Sequence, residues 1–558
     1  MKRLPIGVDD FKELIDEGYY LVDKTNFIKD IIDYRSKVML ITRPRRFGKT
    51  LNMSMLKYFF EDERDTKGKK IDNRYLFDSL NIAKANKEYL DKMGKYPVID
   101  LTFKECKMDD WKRTFYFIKK AIINEFRRHR YVLLSDELLE EDKEKYKLIM
   151  SGVNDELVYI DAIQFLSEIL YSYYGKKVIV LVDEYDVPLE NSYLKGFYDT
   201  MISYIRALFS TTFKQNKYLE FGVITGCLRI SKESIFTGLN NLEIYSILEE
   251  EYSTYFGFVV DEVKQMCEYY NILDQYSDYT EWYNGYKFGE TAIYNPWDVL
   301  NHTKKLVRNI NSDTRCYWIN SSSNDIIKKM LSMADKNTRE DIEMLLNGEA
   351  ISKTISENIT YEDIYKNIDN LWSFMLYTGY LKIEEKVGVN EYRLSIPNKE
   401  IDIAFRTNIR EWVDESVSKY RSHDFIEALK QKEATTVQDK LNMIFAYMVS
   451  YQDTKENFYH GVMLGILSNF ADYDVRSNRE TGKGRADIIM IPRQTMLPAI
   501  IIELKVASTE KGLANKASTA IKQIEKQKYE DDLIDLGYTN IIKYGIAFYQ
   551  KKVAVVCK

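Results

Sequence analysis

Residues 37–50, KVMLITRPRRFGKT, constrain the fold more than any other stretch of the chain. A short apolar run passes through a basic turn into Gly48-Lys49-Thr50, and the apolar spacing of LNMSMLKYFFED predicts a helix beyond it. A strand that hands over to a helix in this way builds an anion cradle, because the turn N–H groups and the helix N-terminus face the same point. Residues 96–101 (YPVIDL), 177–182 (KVIVLV) and 220–226 (EFGVITG) supply further strands. The near-continuous apolarity of KVIVLV is that of a strand covered on both faces. Long helical stretches separate these strands, above all 110–174. That order predicts a parallel sheet with its site at the strand carboxyl ends.

Composition narrows the classes. At about 150 residues per domain, 558 residues make room for three or four units, or fewer large α/β ones. A chain that is 45% hydrophobic and 30% charged is neither disordered nor a membrane protein, and 24 Gly with only 8 Pro favour long elements with short joins. The net charge of −6 argues against a purely electrostatic, histone-like binder, but a local basic stripe can still meet nucleic acid. Five scattered Cys without C-x-x-C spacing, and four distant His, give no zinc cluster or disulfide framework and suit a reducing compartment. The opening MKRLPIGVDDFKELIDEGYY puts acids where a signal peptide needs its apolar run, and no apolar run is long enough to span a membrane. The expected location is the cytoplasm. The chain divides into an α/β region at 1–255, a helical and mixed region at 256–440, for which a winged-helix-like fold is one reading, and an α/β region at 441–558. Turn-bearing joints are expected at NGYKFGE (284–290) and YNPWDVL (294–300).

Two constellations carry chemistry. In the first, Arg46, Phe47, Gly48, Lys49 and Thr50 form the cradle, Lys49 reaching the β- and γ-phosphates and the Thr50 hydroxyl joining a Mg²⁺ shell. Arg43 stands where such loops usually begin with Gly, and an ordinary basic turn is the alternative. At the end of KVIVLV, Asp183 suits Mg²⁺ and Glu184 suits a water-polarising base, with Asp186 able to orient a neighbour. Thr225, ending EFGVIT, can sense the γ-phosphate or attacking water, and Arg229 can stabilise transferred charge from its own or a neighbouring subunit. Arg43, Arg45 and Arg46 offer further anion contacts, or structural pairing with the acids at 61–64.

In the second, strand alternation puts Glu503 and Lys505 on one face and Leu504 on the other. Asp487, sixteen residues earlier on a neighbouring strand, can join Glu503 at a Mg²⁺ or Mn²⁺ ion, with Lys505 neutralising charge or positioning water. Glu456 in the preceding helix is a third candidate carboxylate. Gln523 lies on the following helix, with Tyr529 beyond. Arg476, Arg479, Lys483 and Arg485 form a candidate phosphate-backbone track, which Lys511, Lys516, Lys522, Lys526 and Lys528 would extend; a solvated basic surface is the alternative.

DFKELIDEGYYLVDKT, ITRPRRFGKTLNMSML, VIVLVDEYD and ITGCLRISKESIF resemble the AAA-ATPase-like family. ENFYHGVMLG, SNRETGKGRADIIM and IIELKV resemble the PD-(D/E)XK nuclease superfamily. The resemblance implies a P-loop AAA-like ATPase domain and a restriction-endonuclease-like α/β domain. It carries the Walker A positions to Lys49 and Thr50, the Walker B positions to Asp183 and Glu184, and the sensor region to Thr225 and Arg229. The nuclease-like core falls on Glu456, Asp487, Glu503, Lys505 and Gln523. Arg43 belongs to a family form, TRPRRFGKT, and Asp23, Lys24 and Thr25 match a block expected to cover the base or ribose. The implied activity is an ATP-regulated, metal-dependent nuclease on DNA, RNA not being excluded, with ATP and Mg²⁺ at the first site, Mg²⁺ or Mn²⁺ at the second, and a homo-oligomer possible. An ATP-dependent switch or scaffold that binds nucleic acid or protein without cutting is the alternative. An ATPase acting on protein partners is a third.

Overall fold

The computed structural model describes residues 1–229, 235–236, 240–318, 336–357, 361, 367–408, 423–448, 456–467, 470, 472–481, 484–494 and 496–558. The chain divides into two compact units, Met1–Ile326 with Asp341–Phe405, and Ile327–Glu340 with Arg406–Lys558. Residues of the middle region that the sequence sets apart therefore fall in both.

The first unit is organised by five parallel strands: β1 (Val38–Thr42), β2 (Val98–Thr102), β3 (Val178–Asp183), β4 (Leu219–Gly226) and β5 (Leu242–Tyr245). Their order is β2-β3-β4-β1-β5. Every residue of β1 and β3 is buried, as the unbroken apolar runs predict. The expected charged helical stretch at 110–174 is broken into the helices Trp111–Arg128, Glu140–Ser151, Leu157–Ile160 and Ala162–Tyr174. Strand β5 is an addition to the sequence reading. It is an edge strand of four residues with only its last one buried, too short and too amphipathic for an apolar-run criterion.

Beyond the sheet, β6 (Phe258–Val259), β7 (Tyr286–Phe288) and β8 (Thr291–Tyr294) form a small antiparallel sheet in the order β6-β8-β7. The two joints expected here are its hairpin and the start of the Pro296–Arg308 helix, which Asn295 caps by accepting from the Trp297 N–H at 2.9 Å. A core of Val263, Met266, Tyr279, Tyr283 and Val299 sits beneath, and Leu4, Ile6, Tyr20 and Val22 pack against it. The N-terminal segment is thus held by residues more than 200 positions away. Strands β9 (Ile351–Thr354), β10 (Lys382–Gly388) and β11 (Glu391–Ser395) make a separate antiparallel sheet, order β10-β11-β9.

In the second unit a mixed sheet runs β12-β13-β14-β15-β16, comprising Tyr473–Thr481, Gly484–Pro492, Ala499–Val506, Ile541–Tyr549 and Lys552–Cys557. Only β14 and β15 are parallel, which requires a crossover, and the Leu513–Gln527 helix supplies it. That helix buries Ala517, Ala520, Ile521 and Ile524 against one sheet face, while the helices Ala434–Met448 and Glu456–Leu467 cover the other. The packing on β15 is close: a Cβ on Gly545 would lie 2.2 Å from the Ala517 carbonyl oxygen.

One polar cluster inside the first unit has a pH signature. His129 is 1% exposed, and its Nε2 lies 3.0 Å from the Val98 carbonyl oxygen at the start of β2. A carbonyl can only accept, so Nε2 carries the proton and Nδ1 accepts from the Tyr131 hydroxyl at 2.9 Å. Burial, then the Arg128 charge, holds the imidazole well below its ordinary pKa. The unfolded chain therefore takes up a proton near pH 6.5 that the folded chain refuses, so stability is lost as pH falls below that value. We expect His129→Gln, which keeps a donor for Val98, to lose less stability than the wild type between pH 7.5 and 5.5. Urea midpoints at both pH values test this, and equal losses would remove His129 as the cause.

Candidate functional site

Sheet order brings the first constellation together. With β4 between β1 and β3, Ile41 pairs with Thr225 and Val182 with Ile224, so Asp183 and Thr225 stand side by side at the carboxyl edge. The Lys49–Phe60 helix starts from the neighbouring β1. Asp183 is 3% exposed and gripped at both oxygens: Thr50 Oγ1 donates to Oδ2 at 2.7 Å and Thr225 Oγ1 donates to Oδ1. Burial raises the carboxyl pKa, and the two hydroxyls work against that rise. A hard divalent cation takes oxygen ligands, and Thr50 Oγ1 with the Asp183 carboxylate is a donor set that fits Mg²⁺.

Lys49 is buried, and its ammonium is fully committed within the protein. It donates to the carbonyls of Arg43 (2.8 Å) and Pro44 (2.9 Å) and toward Cys227 Sγ (3.6 Å). A phosphate must take one of these places. The turn itself runs through left-handed backbone at Arg46 (φ 73°) and Gly48 (φ 81°). For Gly48 this is free; for Arg46 it costs about 1–2 kcal/mol, and the guanidinium 4.4 Å above the Trp297 ring offsets part of that. Across the cradle Asp186, buried, accepts from the Cys227 and Leu228 N–H groups at 2.7 and 3.1 Å. Gly226 allows that approach, since a Cβ there would lie 2.9 Å from Asp186 Oδ1 and 2.6 Å from the Tyr185 ring.

A cavity of about 400 Å³ opens above the cradle. Arg45 to Asn52, Glu184 and Asp186 line it, together with the apolar Tyr20, Val22, Phe258, Trp297 and Leu300. The block ending in Asp23, Lys24 and Thr25 is expected near the nucleotide from the resemblance, and its Tyr20, Val22 and Lys24 line the cavity; the Pro296–Arg308 helix has no such signal. Lys104 and Lys107, just past β2, were missed as well.

The structure places the remaining candidates as follows. Arg43 is fully buried: it donates to the carbonyls of Thr42, Tyr245 and Glu251 at 2.8, 2.9 and 3.3 Å and lies over Phe256 and Phe288. Burial draws its pKa down to about 10. It locks the start of the turn to the segment after β5. Arg45 pairs with Glu190 at 2.5 Å, so the arginines do not pair with the acids at 61–64; Glu61 pairs with Arg128 and Asp62 with Arg64 and Lys70. The Phe47 side chain turns into the core against Tyr286 and Phe288. Arg229 is paired with Glu357 at 2.8 Å and is absent from the cavity lining. Asp23 and Thr25 bond to each other and to the Asn81 and Ile82 N–H groups, away from the cavity, while Lys24 lines it but is held by Glu262 and the Thr254 carbonyl.

The second constellation assembles on β13 and β14. Ile488 pairs with Ile502, so the register sets Asp487 opposite Glu503, and Asp487 Oδ2 accepts from the Leu504 N–H at 2.8 Å. Lys505 Nζ donates to Glu503 Oε1 at 2.9 Å, on one face as alternation requires, while Leu504 is buried in the opposite core. Glu503 is 1% exposed, and among the described residues no side chain is within hydrogen-bond distance of its Oε2. Burial, then the neighbouring Asp487 charge, pushes its pKa up to about 7. A buried carboxylate oxygen without a side-chain donor, beside a second carboxylate, fits a divalent cation. Gln523 Nε2 donates to the buried Tyr529 hydroxyl at 3.3 Å, and Tyr529 feels the Glu503 and Asp487 charges. His460, not foreseen, sets Nε2 3.0 Å from the Asp487 carbonyl oxygen. Its only sequence signal was its place four residues after Glu456. Arg476 is paired with Asp474 at 2.7 Å. Lys511, Lys516, Lys522, Lys526 and Lys528 are all exposed. Lys483 and the side chains of Glu456, Arg479 and Arg485 lie outside the described residues.

Residues 5–236 match the family described as Predicted AAA-ATPase, and residues 454–558 match the PD-(D/E)XK nuclease superfamily. The two matches stand in the order that the sequence blocks imply. A protein of Azotobacter chroococcum mcd 1, described as "Uncharacterized protein in vnfD 5'region", is 24% identical over 551 residues, covering 95% of this chain and 93% of its own. The likeness runs the length of both chains. Among the described residues no helix is long and apolar enough to cross a membrane.

The grip on Asp183 yields a prediction. Thr225→Val leaves a buried carboxylate oxygen without its donor, and should cost about 1–3 kcal/mol of unfolding free energy, with Thr225→Ser recovering most of it. Chemical denaturation without nucleotide measures this; a valine variant as stable as the wild type would count against the bond.

Proposed function

We propose that the first unit binds and hydrolyses ATP with Mg²⁺ and that the second cleaves phosphodiester bonds of DNA with Mg²⁺ or Mn²⁺. The observation that carries the reading is the buried Glu503 carboxylate, set opposite Asp487 with Lys505 alongside. A domain that only binds nucleic acid has no need of a buried carboxylate beside a second one, and leaving such a group without a cation is costly.

At the first site Lys49 exchanges its loop carbonyls for phosphate oxygens, and the turn N–H groups with the helix N-terminus hold the anion. Thr50 and Asp183 would hold Mg²⁺, which when bound neutralises phosphate charge. Glu184, next to Asp183 and lining the cavity, orients and polarises the attacking water. The base and ribose lie toward Tyr20, Val22 and Trp297. At the second site Asp487 and Glu503 would hold the cation, which when bound polarises the scissile phosphate and lowers the pKa of water. Lys505 steadies the Glu503 carboxylate and offers its charge to the phosphate.

The test is a cleavage assay on circular and linear DNA, with an RNA arm, in Mg²⁺ or Mn²⁺ and with or without ATP. Asp487→Asn should cut at least about 100-fold more slowly, since even outer-shell partners of a metal ligand cost 10–100-fold. Lys49→Ala should lose ATP binding. Metal-independent cutting, or cutting unchanged in Asp487→Asn, would sink the nuclease reading. Nucleotide-dependent binding of DNA or of protein without any cutting would favour the switch.

A further inference from the structure

The cavity holds more positive charge than the phosphate turn supplies, and one of its lysines is placed by the sheet itself. Thr102 pairs with Asp183, and beyond the end of β2 the Phe103 N–H still donates to the Asp183 carbonyl at 3.1 Å. The chain leaving β2 therefore stays beside the segment carrying Asp183 and Glu184. Phe103 is fully buried, and the next residue, Lys104, emerges into the cavity. Its N–H donates to Thr102 Oγ1 at 3.3 Å. Its ammonium donates to Asp9 Oδ2 at 2.8 Å, and Asp9 lines the same cavity from the N-terminal segment.

Most of the other cations lining this space are engaged elsewhere; Lys107, three residues on, lines it too, but without the backbone bond to Asp183 that fixes where the chain leaves β2. Lys24 is held by Glu262, Arg45 by Glu190, and Arg46 lies over Trp297. Lys49 is bound to the turn carbonyls, and Arg229, the sequence's candidate for charge transferred to the terminal phosphate, is tied to Glu357. Lys104 also has a partner, but that pair is more than half exposed on both sides and is worth only about 0–1 kcal/mol, so a phosphate can replace it.

We propose that Lys104 reads the terminal phosphate of a nucleoside triphosphate, exchanging Asp9 for that phosphate and so freeing the carboxylate of the N-terminal segment. The proposal rests on the nucleotide reading above: Glu184 orients water toward the terminal phosphate, and Lys104 is the lysine that the β2–β3 register sets next to Glu184. A diphosphate, ending short of Glu184, leaves the Lys104–Asp9 pair closed. The charge environment agrees, since Asp9 first, and then Glu184 and Asp183, hold the Lys104 ammonium above its ordinary pKa.

The experiment measures the affinity of the full chain for a non-hydrolysable ATP analogue and for ADP, both fluorescently labelled, with Mg²⁺. Lys104→Met should weaken the triphosphate about tenfold or more while moving ADP less than about threefold. Lys104→Arg should restore the triphosphate preference, and Asp9→Asn, removing the competitor, should strengthen triphosphate binding alone. ADP binding doubles as the check that each variant is folded. Equal losses for both nucleotides, or no loss for either, would overturn the assignment of Lys104 while leaving the nucleotide reading intact. A wild type that binds neither nucleotide would overturn both.

Discussion

The first unit depends on where one strand is inserted. Had β4 formed at the edge of the sheet, Asp183 would lie next to the phosphate turn with one hydroxyl to meet it. Lodged between β1 and β3, β4 brings Thr225 against Asp183 from one side while Thr50 arrives from the other. A buried carboxylate is expensive unless its oxygens are satisfied, and these two bonds satisfy it without any ligand. The same insertion fixes β2 on the far side of β3, and that is why the residues after β2 run past Glu184. Cradle, acid pair and Lys104 are three consequences of one sheet order.

The two sites treat their carboxylates differently. Asp183 is held by neutral hydroxyls, which suit either an empty site or a cation that shares the same oxygens. Glu503 is differently placed: Lys505 donates to Oε1, no side chain among the described residues reaches Oε2, and Asp487 stands opposite with the same sign of charge. Raising the Glu503 pKa to about 7 is the expected response of such an arrangement, because the proton does part of what a cation would do better. The first site is structurally complete without its ligand. The second carries an electrostatic cost that a cation relieves.

How much of this was legible in the sequence follows from which contacts are local. Strands buried on both faces announce themselves as unbroken apolar runs, so β1, β3 and β14 were found within a residue or two, and the polar residues ending or following them were read as site candidates on that basis. Alternation sufficed to put Glu503 and Lys505 on one face. What the sequence missed was set by long-range packing. A buried arginine whose partners are carbonyls and rings, as Arg43 is, leaves no pattern, since its partners Tyr245 and Glu251 lie some 200 residues on and contribute only backbone oxygens. The apolar wall of the cavity joins residues near 20 to residues near 300 through a shared core. The ion pair that occupies Arg229 comes from a residue in the middle region, where the sequence was read as mixed and unbounded.

Lys104 illustrates the limit most sharply. In sequence it is one of the two basic residues in TFKECK, with nothing to distinguish it from Lys107 three positions later. Its distinction is a single backbone hydrogen bond, from the Phe103 N–H to the Asp183 carbonyl, which extends the β2–β3 pairing beyond the last residue of the strand. That bond, together with the burial of Phe103, fixes where Lys104 leaves the sheet. A cation so placed, weakly held by an exposed carboxylate, is well suited to exchange partners, because a stronger or more buried pair would be too costly to open. The partner it releases belongs to the N-terminal segment, which packs on the core beneath the Pro296–Arg308 helix. Under the proposed exchange, a phosphate in the cavity would act, through one ion pair, on the segment that lines it.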